Sequence, residues 1–249
     1  MCRTTQQSRR SVTGMPVALF SFAAFAALAG SGPQDERSDA QREAIAKRWK
    51  GPVVTEVFFA VTPGQAGDAN GDGSRHSTGD EFVELCNVSD KPIDLRGYTL
   101  TDRNPAESGQ FRFEFPRFTL PPGGVVLVFN GFEQKWKGPV GTAEKAPSGA
   151  NERFNDAWVF NAAAPGRYTA LANSGDHVVL YSPEGDALQV VWWGKYEQER
   201  PNAPLVDEAP GSPSGSVACE KPFASFKEHP DRAGKKLSPG WVPWSKGRG

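Results

Sequence analysis

Histidine and cysteine are scarce in this sequence, with three of each among 249 residues. His76, His177 and His229 stand far apart, and no Cys/His spacing of a zinc site occurs. No glycine-rich phosphate loop is present, and Gly211-Ser212-Pro213-Ser214-Gly215 has proline where a nucleophile elbow requires serine. His177 lies beside Asp176, but in a turn-to-strand context that suits a structural role better than a catalytic one. The chain is therefore expected not to be an enzyme. A positive excess is also missing. Lys and Arg number 28 against 29 Asp and Glu, which excludes a global attraction for nucleic acid or anionic lipid. Long apolar runs are absent as well. The longest, Met15 to Ala29, falls short of the roughly 20 residues that cross a bilayer.

Glycine (27) and proline (21) are plentiful and make up about a fifth of the chain, which argues for a loop-rich globular domain over a helical bundle, coiled coil or disordered chain. At the N-terminus Arg3, Arg9 and Arg10 precede the apolar run, and small residues follow at Ala27-Leu28-Ala29-Gly30. That is the layout of a secretory signal peptide over residues 1–30, with either the general or the twin-arginine route open. Ser31 stands where a lipid-anchored protein would have cysteine. Cleavage removes three arginines and no acid, leaving 25 basic against 29 acidic residues and no transmembrane segment. The expected location is secreted, periplasmic or at the cell envelope. Cys86 and Cys219 remain in the exported chain, where they either form one disulfide or stay as a strand thiol and a tail thiol.

Residues 31–50 are polar with helix formers and read as a linker or short helix. From Val53 the character changes to β-branched and aromatic runs. Strand candidates are Val53 to Val61, Glu81 to Val88, Ile93 to Thr101, Phe111 to Phe115, Val125 to Asn130, Ala157 to Phe160, His177 to Ser182 and Ala187 to Trp193. Turn chemistry separates nearly all of them, as at Ser89-Asp90-Lys91-Pro92 and Pro121-Pro122-Gly123-Gly124. In Phe111-Arg112-Phe113-Glu114-Phe115 the period is two, as a half-buried antiparallel strand requires. In the second run Val83 and Leu85 form the cleaner core face against Phe82, Glu84 and Cys86. The expected fold is all-β, an antiparallel β-sandwich with long loops at residues 62–80 and 131–156. Residues 196–249 read as a Pro/Gly-rich extension whose Trp241 and Trp244 pack it back on the domain. Seven basic residues against three acids in residues 220–249 are spread too thinly to suggest a nucleic-acid patch.

Four blocks in order resemble the lamin tail domain family. They are Glu56 followed by Glu81-Phe82-Val83-Glu84-Leu85-Cys86-Asn87; Asp94-Leu95-Arg96-Gly97-Tyr98-Thr99-Leu100-Thr101-Asp102; Phe118-Thr119-Leu120-Pro121-Pro122-Gly123; and Leu171 to Leu180 with Gly185 in the next hairpin. The resemblance spans about residues 50–195 and implies an immunoglobulin-like β-sandwich, known from nuclear lamins and from exported bacterial proteins. Residue chemistry independently suits these blocks. Gly97 permits a bend, and Asn173 and Gly175 suit turn positions of positive φ. No heptad-bearing rod precedes the domain and an export signal does, so the filament role and the nuclear partners are not carried over. What the resemblance implies is an accessory or interaction module of the bacterial exported type.

Asp68-Ala69-Asn70-Gly71-Asp72-Gly73 is the sharpest short motif, because its oxygens at positions 1, 3 and 5 with glycine at 6 open like a calcium loop. Ser74 would supply a carbonyl at position 7. Gly79 stands where the bidentate glutamate belongs, which leaves Asp80 to close the cage. Calcium is the expected cofactor if this turn holds an ion. Adjacent Trp192 and Trp193 in a strand must face opposite ways, one to the core and one outward or under the tail. Tryptophans offer a stacking platform for sugar or polymer, or simply packing. The reading is an exported, non-enzymatic binding or structural module with a protein or cell-surface polymer as partner; the alternative is an accessory carbohydrate- or nucleic-acid-binding module of an extracellular hydrolytic system.

Overall fold

The computed structural model describes residues 37–102, 110–164, 168–195 and 200–244. The export signal expected over residues 1–30 lies outside them. One helix, α1 (Asp39–Ala46), opens the described chain, capped where Ser38 and Gln41 exchange side chain and backbone hydrogen bonds. Thirteen strands follow: β1 (Val53–Phe58), β2 (Phe82–Cys86), β3 (Ile93–Asp94), β4 (Thr99–Thr101), β5 (Arg112–Glu114), β6 (Thr119–Leu120), β7 (Val125–Phe129), β8 (Trp158–Asn161), β9 (Gly175–Tyr181), β10 (Ala187–Gly194), β11 (Leu205–Ala209), β12 (Val217–Ala218) and β13 (Lys227–Glu228).

Two sheets carry the fold, in the orders β13-β12-β1-β2-β7-β8 and β11-β10-β9-β4-β5, with β3 and β6 forming a small ribbon. Each large sheet is antiparallel except at one edge, where β8 runs parallel to β7 and β11 parallel to β10. Between the sheets lies a core of Val54, Val57, Val83, Leu85, Val126, Val178, Leu180 and Trp193, with Phe113, Phe115, Phe118 and Phe160 meeting edge to face. Trp193 stacks on Phe59 at 4.0 Å and donates its indole N–H to the Ala172 carbonyl. Its neighbour Trp192 turns outward under the Arg200 guanidinium, so the pair divides as alternation demands.

All of β1, β2 and β7 is buried, on both faces. Phe58, Phe82, Cys86, Leu127 and Phe129 point away from the sandwich core and pack with Phe154, Val242, Trp136 and Trp244. A third layer therefore covers the outer face of the first sheet. It is built from the 131–157 loop and the segment after β11, and it explains why Phe82, Glu84 and Cys86 form no solvent face.

Turn glycines act in two ways. Gly97 takes φ +82°, as its place before Tyr98 suggests. Asn173 and Gly175, expected at positive φ, do not adopt it. Gly175 is required instead because a Cβ there would lie 2.1 Å from the Lys195 carbonyl oxygen.

Candidate functional site: buried carboxylates and an aromatic groove

Glu56 and Glu84 project from the covered outer face of the first sheet, in register across β1 and β2. Their burial follows from strand alternation, since Val57 and Val83 next to them take the core face. Glu56 accepts hydrogen bonds from the Ser216 hydroxyl (2.5 Å) and the Ser238 amide (3.0 Å), and meets the Ser238 hydroxyl at 3.0 Å. Ser238 Oγ also lies 2.7 Å from His229 Nε2, while His229 Nδ1 lies 2.7 Å from the Pro230 carbonyl. A carbonyl only accepts, so Nδ1 carries a proton. Glu84 accepts from the Thr55 hydroxyl (2.6 Å) and the Gly240 amide (2.8 Å). Burial drives both carboxyls above the ordinary glutamate range, Glu84 well above it with the charge of Glu56 adding to the effect, while His229 pulls Glu56 back. The cavity beside the pair holds about 10 Å³, room for about one water.

A third buried acid, Glu81, stands at the other end of β2. It accepts from the Leu171 amide and the Asn130 side chain, both at 3.1 Å, and burial again raises it well above the usual value. Carboxyls with raised values are common in active sites. Here each one ties a remote segment of chain to the sheet.

The calcium-loop residues form one hydrogen-bonded unit. Asp68 accepts from the amides of Asp72 (3.1 Å) and Gly73 (2.9 Å) and from the Gln65 side chain (2.6 Å). Asn70 accepts from the Asp72 amide, and Asp72 accepts from the amides of Ser74 (2.7 Å) and Lys135 (3.0 Å). Asp80 accepts from the amides of Asn70 (3.1 Å) and His76 (2.6 Å). Desolvation would raise Asp72, but the amides of Lys135 and Ser74 hold it below the ordinary aspartate value. Asp80 is raised by its burial. Among the described residues no three His, Cys, Asp or Glu side chains are grouped as a metal ion requires.

The cysteines flank β1. Cys86 pairs with Val53 on one side, and the Cys219 amide donates to the Thr55 carbonyl on the other. Two strand spacings of about 4.8 Å each put their Cα atoms beyond the roughly 7 Å limit for a disulfide. Both are buried free thiols, and burial pushes Cys86 up to about 12.

Sequence reasoning missed an open groove of about 720 Å³ at one end of the sandwich. Its walls are the β6–β7 turn, the loop ahead of β8, and the segment from Gly240 to Trp244. Trp158, Trp241 and Trp244 are half-buried and line it. The signal available in sequence was the tryptophans themselves, but not their convergence from positions more than 80 residues apart.

Two packed sheets with loops at the ends and no helix between them form an immunoglobulin-like β-sandwich. The chain belongs to the lamin tail domain family, whose profile matches residues 60–195. The match starts after β1 and ends before β11, so the strands flanking it complete the sheets from outside it. No curated protein matches the chain.

Proposed function

We propose that this protein is an exported, non-enzymatic binding module of the cell envelope that mediates protein or surface interactions. The observation that carries the reading is the use of the buried acids. Glu56, Glu81 and Glu84 are spent on hydrogen bonds that fasten chain segments, and the space beside the first pair admits about one water. A reacting substrate has no entry there. The basic, apolar and small-residue zones of the N-terminus support export. Among the described residues no helix is long and apolar enough to cross a membrane.

The test is fractionation of cells making the full chain, with in-cell cross-linking and mass spectrometry. The expected result is a chain beginning close to Gly30, outside the cytoplasm and cross-linked to an envelope component. Intact Met1 to Ala29 on a cytoplasmic protein would overturn the reading.

A further inference from the structure

We infer that the groove between the β6–β7 turn and the C-terminal segment binds a neutral polysaccharide. The inference rests on the proposed reading as a binding module and names the ligand class for one surface of it.

Three features of the groove select that chemistry. The first is its aromatic content. Trp158, Trp241 and Trp244 each keep part of the indole exposed while another part is fixed by packing. Trp158 lies against Phe118 at 4.9 Å, Trp241 lies beneath the Arg232 guanidinium at 3.8 Å, and Trp244 packs against the cluster that contains Cys86 and Phe82. A pre-fixed indole offers a flat apolar face with little ordering cost, which suits the C–H face of a sugar ring.

Charge is the second feature. Among the described residues lining the groove there is one carboxylate, Asp156, and no lysine, arginine or histidine. An anionic polymer such as nucleic acid or a uronic-acid glycan would meet only the Arg232 guanidinium, which already lies on the Trp241 ring. A neutral polyol needs none.

The third is the set of polar groups beside the rings. Asn155 and Asp156 take left-handed backbone angles in succession, φ +51° and +62°, uncommon for non-glycine residues. Both are exposed at the groove edge, and neither side chain hydrogen-bonds another described residue. A carboxylate and an amide next to aromatic faces provide the directional acceptors and donor that hydroxyls require. The volume falls within the roughly 300–1,000 Å³ range of ligand clefts.

The experiment titrates the chain from residue 31 onward with soluble β-1,3-glucan, cellohexaose, α-mannan and N-acetylated chitohexaose, following tryptophan fluorescence and calorimetry. Duplex DNA, polygalacturonate and a proline-rich peptide serve as the competing classes. At least one neutral glycan is expected to bind, with affinity reduced tenfold or more in Trp241→Ala and several-fold in Asp156→Ala. Trp192→Ala, on the other sheet, should bind as the parent does. Asp156 is exposed, so its variant keeps the test valid should Trp241→Ala misfold. Absence of binding to every neutral glycan, binding that Trp241→Ala and Asp156→Ala leave unchanged, or preference for DNA, polygalacturonate or peptide would each overturn the inference. If the cross-links to envelope components persist while all glycans fail, only the ligand assignment falls. If the chain is cytoplasmic, the module reading falls with it.

Discussion

Glu56 and Glu84 lie opposite one another across β1 and β2, and each is held by a different part of the C-terminal segment, Glu56 by Ser216 and Ser238 and Glu84 by Gly240. Two acids in adjacent positions of a sheet repel when both are charged. Burial raises both carboxyls, which ties the segment that covers them to proton uptake.

Stability should therefore fall as pH rises. A carboxyl with a folded-state value above its unfolded one contributes stability below the unfolded value, near 4.5, and loses it as pH climbs through the folded value. Glu56, Glu81 and Glu84 all carry this sign, and the cavity beside Glu56 and Glu84 is also lined by His229, Arg232, Glu220, Glu228 and Cys219. Calorimetry is expected to give a higher Tm at pH 5.5 than at pH 8. A Tm that increases over that interval would refute the assignment.

Glu84→Gln separates this effect from packing. Glutamine keeps the acceptor for the Gly240 amide and cannot ionise, so its stability relative to the parent should improve as pH rises. Glu84→Ala leaves the Gly240 amide and the Thr55 hydroxyl without their acceptor and should cost about 1–3 kcal/mol. Urea unfolding of both variants at pH 5.5 and pH 8 checks the pair. A parallel loss in the two variants would show that charge plays no part.

Residues 31–195 alone should not fold. Removing the rest strips β12 from the edge of β1, β11 from β10, and Val242 and Trp244 from the outer face of the first sheet. Circular dichroism of this fragment is expected to show no cooperative melt. A sigmoidal transition near that of the longer chain would make the extension dispensable.

Neither cysteine should react in the native protein. Thiol alkylation followed by peptide mass mapping is expected to leave Cys86 and Cys219 unmodified before unfolding and to label both afterwards without reductant, because β1 separates them. A peptide pair linked through sulfur would contradict the strand order.

For the Asp68 to Gly73 turn, whose acids accept from the amides of Asp72, Gly73, Ser74 and Lys135, a bound calcium ion should raise Tm from chelator to millimolar calcium, and an unchanged Tm would make it a polar turn without an ion. Calcium at 100 times its Kd would stabilise by about 2.7 kcal/mol, a visible shift. A rise abolished by Asp72→Ala would establish a cation site.

Most strands from Val53 to Trp193 were legible because alternation and turn residues are local signals, and Trp192 and Trp193 divide as alternation requires, but the run from Ile93 to Thr101 is two strands in different sheets and Thr119–Leu120 was not read as a strand. By contrast Leu205–Ala209, Val217–Ala218 and Lys227–Glu228 are short runs amid proline and glycine. They become strands by docking on β10 and β1, which is a tertiary cause that no window of sequence contains. Glu84 was legible as the polar side of β2, but not as buried, since the layer that covers it comes from more than 150 residues away. Asn173 offered turn chemistry in a segment whose geometry is set by the close approach of Lys195 to Gly175.

The sheet ends have a bearing on how the protein behaves when crowded. Unpaired strand borders invite strands from other molecules and seed aggregates. Here β13 ends one sheet with two charged residues, Lys227 and Glu228, and β5 ends the other with Arg112 and Glu114 exposed beside buried Phe113. Beyond β8, Gly141 exchanges hydrogen bonds with Val159 and Asn161 and blocks further pairing, while at β11 Asp207 is engaged by Arg42 of α1 at 2.8 Å. Each border is short, charged or occupied. Self-association by strand addition is thereby discouraged, so the molecule can reach high local concentration as separate units.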